Sequence, residues 1–333
     1  MRVLVTGGAG YIGSHTARLL AERGIETVVY DNLSRGYRWA VEWCPLVVGD
    51  LADRELLRET LEKHRIDAVV HFAAFALVSE SIEKPGEYFR NNTANSLTLL
   101  ESMREAGVST IVFSSTCAVY GDPVRLPLSE DHPQNPVSPY GESKLMTERA
   151  LHWYGRCHGF RWAALRYFNA CGAHPDARIG EVHDPETHLI PNILRAALGR
   201  LPHLEVYGND YPTPDGTAIR DYIHVLDLAE AHLRALEHLS GPGGTPGASG
   251  VFNLGTGTGH TVREMIRVAE RVSGRAIPVR DCPRRPGDPP ELVARASRAA
   301  EILGWTPRCS DLETIVETAW RWETSEARAR AGV

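Results

Sequence analysis

Thr6-Gly7-Gly8-Ala9-Gly10-Tyr11-Ile12-Gly13 follows the apolar run Val3-Leu4-Val5 and leads into a stretch of helical periodicity. Gly7, Gly10 and Gly13 fit Gly-x-x-Gly-x-x-Gly, and Gly8, Gly10 and Gly13 fit Gly-x-Gly-x-x-Gly. Glycines in such a turn let the backbone bend sharply and approach a pyrophosphate, whose charge then meets the helix N-terminus. The pattern alone is weak, so its surroundings matter. A strand is expected at 2–6, a helix at 11–23 stopped by Gly24, and a second strand at 26–30 running into Asp31. A carboxylate at that strand end accepts hydrogen bonds from ribose hydroxyls and repels a 2′-phosphate, so NAD is expected rather than NADP. Asp50 ends a third strand and fits either an adenine contact or a cap for the helix that begins near Asp53.

Working outward, short apolar runs recur at 46–48, 67–72 and 110–114, with helical stretches at 53–64 and 87–106 between them. A further helix over 138–158 feeds a strand at 162–167. Strict alternation of this kind predicts an α/β fold, a Rossmann-type doubly wound parallel sheet with helices on both faces. Beyond residue 170 the alternation gives way to loops around helices at 189–198, 225–239 and 261–273. Residues 241–247, rich in Gly and Pro, read as a surface loop. We therefore expect a cofactor domain over 1–170. A smaller C-terminal substrate-binding lobe over 171–333 would be interleaved with the last elements of the first domain.

Bulk properties narrow the partners. A net charge of −6 and a pI near 6.2 argue against nucleic acid or an anionic membrane surface. The six cysteines show no Cys-x-x-Cys spacing, as in a reduced cytoplasmic protein. Among the 14 histidines His183 and His188 are the closest suggestive pair, and no metal is expected there. Met1-Arg2 runs directly into the first strand, leaving no room for a signal peptide, and no apolar run is long enough for a membrane span.

One lysine stands out. The chain has three lysines against 33 arginines, and Lys144 follows Tyr140 by four positions in Tyr140-Gly141-Glu142-Ser143-Lys144. On a helix that spacing puts phenol and ammonium on one face. Lysine is a compact ammonium and arginine a planar fork, so the two are not equivalent beside a phenol that loses a proton. The same pair could equally be a surface contact.

Taken together, Thr6–Gly13, Asp31-Asn32, Ser114-Ser115-Thr116 and Tyr140-x-x-x-Lys144 resemble the extended short-chain dehydrogenase/reductase family. Arg166-Tyr167-Phe168-Asn169, the run from Tyr207 to Thr213, the run from Asp215 to Val225 and Arg284-Arg285-Pro286-Gly287-Asp288 are similar to the UDP-glucose 4-epimerases within it. The resemblance spans residues 1 to about 322. It implies NAD held by Gly7, Gly10, Tyr11, Ile12, Gly13, Asp31, Asn32, Asp50, Leu51, Phe72, Ala73, Ala74, Asn91, Tyr140, Lys144 and Tyr167. It implies reversible oxidation at C4 of a UDP-hexose. Tyr140 would take the hydroxyl proton, with Lys144 and the positive nicotinamide lowering its pKa, and Thr116 would bind the same sugar oxygen. The remaining substrate contacts implied are Asn169, His188, Leu189, Arg220, Arg285 and Asp288. Arg220 and Arg285 would grip the pyrophosphate, and Asp288 the uridine ribose. Asn92 would lie beside substrate or cofactor, or bind backbone within its helix. His224 reads as a residue at a helix start, and Ser114 and Ser115 as turn residues at a strand end. A homodimer through the helices near 87–106 and 138–158 is also implied.

Related sugar-nucleotide 4,6-dehydratases place Asp-Glu directly after the threonine, as acid and base for loss of water. Here those positions hold Cys117 and Ala118, and a decarboxylase would usually carry glutamate at the second. Hydride out and hydride back is the chemistry left. A catalytically silent NAD-binding sensor on the same scaffold is the alternative from another class, and Thr116, Tyr140 and Lys144 argue against it. Three departures from relatives bear on detail. Ala76 stands where some relatives have a lysine near the cofactor, and His188 where some have an asparagine facing the sugar-phosphate region. Leu292 stands where side-chain bulk gates N-acetylated sugars. Plain UDP-hexoses are expected, with UDP-N-acetylhexosamines and UDP-pentoses as alternatives.

Overall fold

Val3, Leu4 and Val5 have no exposed surface, as expected for the first strand of a sheet covered on both faces. The computed structural model describes residues 1–241, 249–285 and 287–332, so most of the loop expected at 241–247 lies outside the described residues. The first six strands are β1 (Arg2–Thr6), β2 (Glu26–Asp31), β3 (Leu46–Val48), β4 (Ala68–His71), β5 (Thr110–Thr116) and β6 (Arg161–Tyr167). They pair in parallel, and a seventh strand, Gly250–Leu254, adds beside β6. The order is Gly250–Leu254, β6, β5, β4, β1, β2, β3. Chain direction across the sheet therefore reverses between β1 and β4, which opens a crevice at their C-terminal ends.

Helices α1 (Tyr11–Glu22), α2 (Arg54–Lys63), α3 (Val78–Glu83), α4 (Pro85–Tyr88), α5 (Asn95–Glu105) and α6 (Pro139–His158) connect the strands. One apolar cluster joins β1, α1 and the helix Val225–Ser240 on one face, and another joins α2, α5 and α6 on the other. A third cluster lies beyond the sheet. It is built from Leu189–Ala197, Val262–Ser273, Leu312–Glu323 and the short strand Leu204–Tyr207.

Four expectations change. The helix expected over 87–106 begins earlier, at Pro85, and is interrupted by a π-helical turn at Phe89–Ala94. Asn92 lies in that turn with its side chain bonded to the backbone of Phe75, a contact made across the fold and not within its own helix. Asp50 does not cap α2; Asp53 does, accepting from Leu56 N at 3.1 Å. Ser114 and Ser115 are not turn residues but buried members of β5. The strand Gly250–Leu254 had no counterpart in the sequence reading.

The glycine turn depends on close packing. Gly7 has φ +70°, and a Cβ there would lie 2.5 Å from Ala73 N. A Cβ on Gly13 would lie 2.2 Å from Gly7 O. Gly13→Ala is expected to cost about 1–3 kcal/mol, the usual penalty for overpacking, and to weaken dinucleotide binding. Urea denaturation with and without NAD measures both.

Candidate active site

The turn delivers α1 end-on to the crevice. Gly10 precedes the helix without a side-chain cap, so its first N–H groups point outward as anion donors. Asp31, at the end of β2, is buried and folds back to accept from Ala9 N at 2.9 Å and Leu33 N at 2.8 Å. Burial raises its pKa, while those two backbone bonds oppose the rise. Asn32 donates to Asp50 Oδ2 at 2.7 Å, joining the ends of β2 and β3, and Leu51 is buried just beyond. Across the crevice Phe72 and Ala73 leave β4 with their N–H groups bonded to Thr6 O, and Ala74 follows. Tyr11 donates to Gly172 O at 2.6 Å, tying the first turn of α1 to the second half of the chain, and Ile12 packs onto the sheet core.

Ser138 caps α6 by accepting from Gly141 N, with Pro139 in the first turn. A Cβ on Gly141 would lie 2.6 Å from Ala118 O, so glycine lets the start of α6 press against the turn after β5. That contact brings Tyr140 to Thr116, whose hydroxyl also accepts from Ala118 N at 3.1 Å. One helical turn on, Lys144 is buried, donates to Ser114 O at 2.9 Å and lies 4.9 Å over the Phe113 ring. Tyr167 reaches the same place through its hydrogen bond with the Ser114 hydroxyl. Asn91 donates to Asn92 Oδ1, and Asn92 donates to Ser143 Oγ at 3.1 Å, so the π-helical turn braces α6.

The electrostatics depart from expectation. Burial pushes the Tyr140 phenol up to about 12, with the Thr116 hydrogen bond opposing. Burial pushes the Lys144 ammonium down to about 7, with the charge of Glu148 opposing. The protein's own groups thus favour both neutral forms, and Lys144 by itself does not produce a low-pKa phenol. Cys117 is also held neutral, its thiol pushed by burial up to about 12. Neither it nor Ala118 can serve as a charged acid–base partner.

Of the residues expected to hold substrate, Arg220 and Asp288 come together as an ion pair. Asn169 donates to Asp221 O at 3.0 Å in the adjoining strand pair. Arg285 does not join that pair; its guanidinium lies 4.0 Å over the Tyr207 ring. Leu292 is in register with Arg220 and packs on the same cluster as Cys117. His188 precedes helix Leu189–Ala197, half in solvent. Its Nδ1 and that of His183 face the carboxylates of Glu181 and Glu186. Burial lowers the His183 pKa, but hydrogen bonding to Glu181 and Glu186 outweighs it and lifts the group to about 10. His224 caps the helix Val225–Ser240, as its position suggested.

Sequence reading missed three parts of this surrounding. His71 lies buried between Thr6 Oγ1 at 2.7 Å and Ser96 Oγ at 2.8 Å. Glu148, one helical turn beyond Lys144, is buried in a two-point ion pair with Arg166 and accepts from Ser115. Its spacing from Tyr140 and Lys144, on the same helix face, was the available signal. Asp221 is buried and accepts from Thr256 N, Gly257 N and Ala294 N.

A glycine turn and a terminal carboxylate at the switch point of a parallel sheet, beside a Tyr–Lys helix, define a Rossmann-type scaffold. The chain belongs to the NAD dependent epimerase/dehydratase family, which it matches over residues 3–255. A UDP-glucose 4-epimerase from Halalkalibacterium halodurans is 50% identical over 322 residues, 97% of this chain and 95% of that one. The crystal structure of a UDP-glucose 4-epimerase from Brucella ovis in complex with NAD superposes with a TM-score of 0.93 at 53% identity. It covers 96% of this chain and 97% of its own. A Stenotrophomonas maltophila UDP-glucose 4-epimerase with bound NAD and formylated UDP-arabinopyranose gives a TM-score of 0.94 at 42% identity, over 99% of both chains.

Proposed function

We propose that this chain catalyses the NAD-dependent, reversible 4-epimerisation of a UDP-hexose, UDP-galactose to UDP-glucose, through a transient 4-keto sugar. The observation that carries the reading is Tyr140 set against Thr116, with Lys144 buried one helical turn on and bonded to Ser114 O, and with Cys117 and Ala118 in place of an acid–base pair. The site suits a dinucleotide: a Cβ would fill the Gly7 cradle, the α1 terminus is uncapped and Asp31 offers a buried carboxylate. Bound NAD supplies a hydride acceptor and a positive ring.

Tyr140 takes the 4-hydroxyl proton, and Thr116 holds the oxygen that loses it. A phenol held near pKa 12 by the protein needs added positive charge to ionise. Lys144, near 7, is balanced between its two forms and can pass a proton on once charge accumulates beside it. Arg220, Arg285 and Asp288 hold the UDP while the keto sugar turns over within a looser pocket. The second half of the chain serves as the substrate lobe. Leu292 favours plain hexoses over N-acetylated ones. Initial rates with UDP-galactose, UDP-N-acetylgalactosamine and UDP-xylose test this, and equal rates for all three would contradict it.

Asp31→Asn keeps the shape but removes the charge that would meet the ribose of a bound dinucleotide. We expect NAD affinity to fall by about tenfold, the value of one lost charge-assisted hydrogen bond, as read by calorimetric titration. We also infer a cytoplasmic homodimer. Among the described residues no helix is long and apolar enough to cross a membrane. Leu97 on α5 and Met146 and Trp153, about two turns apart on α6, are exposed apolar side chains on the helices expected to pair. Light scattering should give twice the 36.7 kDa chain mass, and a monomer would contradict the inference.

A further inference from the structure

We infer that Glu181, His183, Glu186 and His188 form a binding site for one divalent transition ion with the ligand preferences of zinc. The four side chains each offer one donor atom, and these atoms lie within 4.8 Å of one another. The individual separations are more telling. His183 Nδ1 is 3.4 Å from Glu181 Oε1 and 3.6 Å from Glu186 Oε2. His188 Nδ1 is 3.2 Å from Glu181 Oε1 and 2.9 Å from Glu186 Oε1. A tetrahedral site with bonds of about 2.0–2.2 Å has ligand-to-ligand edges of roughly 3.3–3.6 Å. The four histidine–carboxylate separations are near those edges, and the other ligand pairs lie within 4.8 Å, so an ion could enter once the side chains draw together and the His188–Glu186 hydrogen bond gives way.

The surroundings fit as well. Both carboxylates are nearly inaccessible and both imidazoles partly open, which leaves an approach from one side. His183 Nδ1 is buried and faces only those two carboxylates, at the long separations given above. The ligand frame is held from outside: Trp322 Nε1 donates to Glu181 O at 3.1 Å, and His188 N donates to Glu186 Oε1 at 2.9 Å. Once an entering dication displaces the proton held on His183, two carboxylates and two neutral imidazoles leave no net charge around it. The two histidines alone gave no metal signature in the sequence; the carboxylates that complete the set become visible only once residues 181–188 fold back on themselves. Because Tyr11 packs edge-on against His183 at 6.2 Å, the ion would fasten this segment against the first turn of α1.

The test uses the NAD-loaded protein after chelator treatment, titrated with Zn2+ and, for its spectrum, Co2+. One equivalent of Zn2+ per chain should bind with micromolar or tighter affinity. Excess Mg2+, which demands octahedral oxygen ligands, should not displace it. Co2+ should show the intense visible bands of a four-coordinate site. Glu181→Gln and His183→Ala should each weaken binding by at least about 100-fold, beyond the 10–100-fold that outer-sphere changes cause. Absence of stoichiometric binding, a weak six-coordinate Co2+ spectrum, or binding unchanged in both variants would each overturn the proposal. The Co2+ spectrum of the unsubstituted protein decides the matter even if a variant fails to fold.

Discussion

Tyr140→Phe lowers epimerisation of UDP-galactose by roughly 10²–10⁴-fold, the usual contribution of a positioned acid–base group, while NAD remains bound. The phenol oxygen is the atom at stake, since phenylalanine keeps the ring and its edge-on packing with Tyr88 at 6.5 Å. The glycine turn and Asp31 belong to other elements and are untouched by the change, so cofactor binding by calorimetry should be little altered. Loss of the rate without loss of binding separates a catalytic role from a structural one. Retained turnover would show that another group takes the proton. Given Cys117 held neutral and Ala118 beside it, no other acid–base side chain stands in that turn.

Glu148→Gln is the second large effect, and it acts on stability. Arg166 and Glu148 are both almost fully buried and joined at two points, with Arg166 Nε 2.9 Å from Glu148 Oε1. Arg166 also donates to Tyr120 Oη at 3.0 Å, and Tyr120 to Asn253 Oδ1 at 2.6 Å. This chain of bonds ties α6, β5, β6 and the strand Gly250–Leu254 together. Removing one charge strands the other in a dry interior, which costs about 3–5 kcal/mol. Denaturant unfolding should show the loss. Because the Glu148 charge opposes the effect of burial on Lys144, the variant should also move the limb of the rate profile governed by Lys144 to lower pH, a change that instability alone would not cause.

The pattern of what the sequence disclosed has a physical basis. The path from β1 through the glycine turn to Asp31 is local: strand, turn and helix each carry their own signals within about thirty residues. The interruption at Phe89–Ala94 is different, because Asn92 leaves the helix to meet Phe75 and Ser143, partners that only tertiary folding supplies. The strand Gly250–Leu254 exists because β6 offers an open edge, a fact about a segment some ninety residues earlier. At the site, Tyr140 and Lys144 were legible from helical spacing and Asp31 from its place after the glycine turn. The direction of their titration was not. It depends on burial, which drives phenol and ammonium toward neutrality and which composition does not reveal. Arg285 shows the same limit: its charge is evident in the sequence, but its place over Tyr207 is not.

The central claim is that one hydrogen leaves C4 as hydride and returns to the same carbon on the other face. UDP-galactose carrying deuterium at C4 tests this most directly. UDP-glucose should form with the deuterium still at C4 and none lost to water. Deuterium released to solvent, or found at C6 of a 4-keto-6-deoxy sugar, would contradict it.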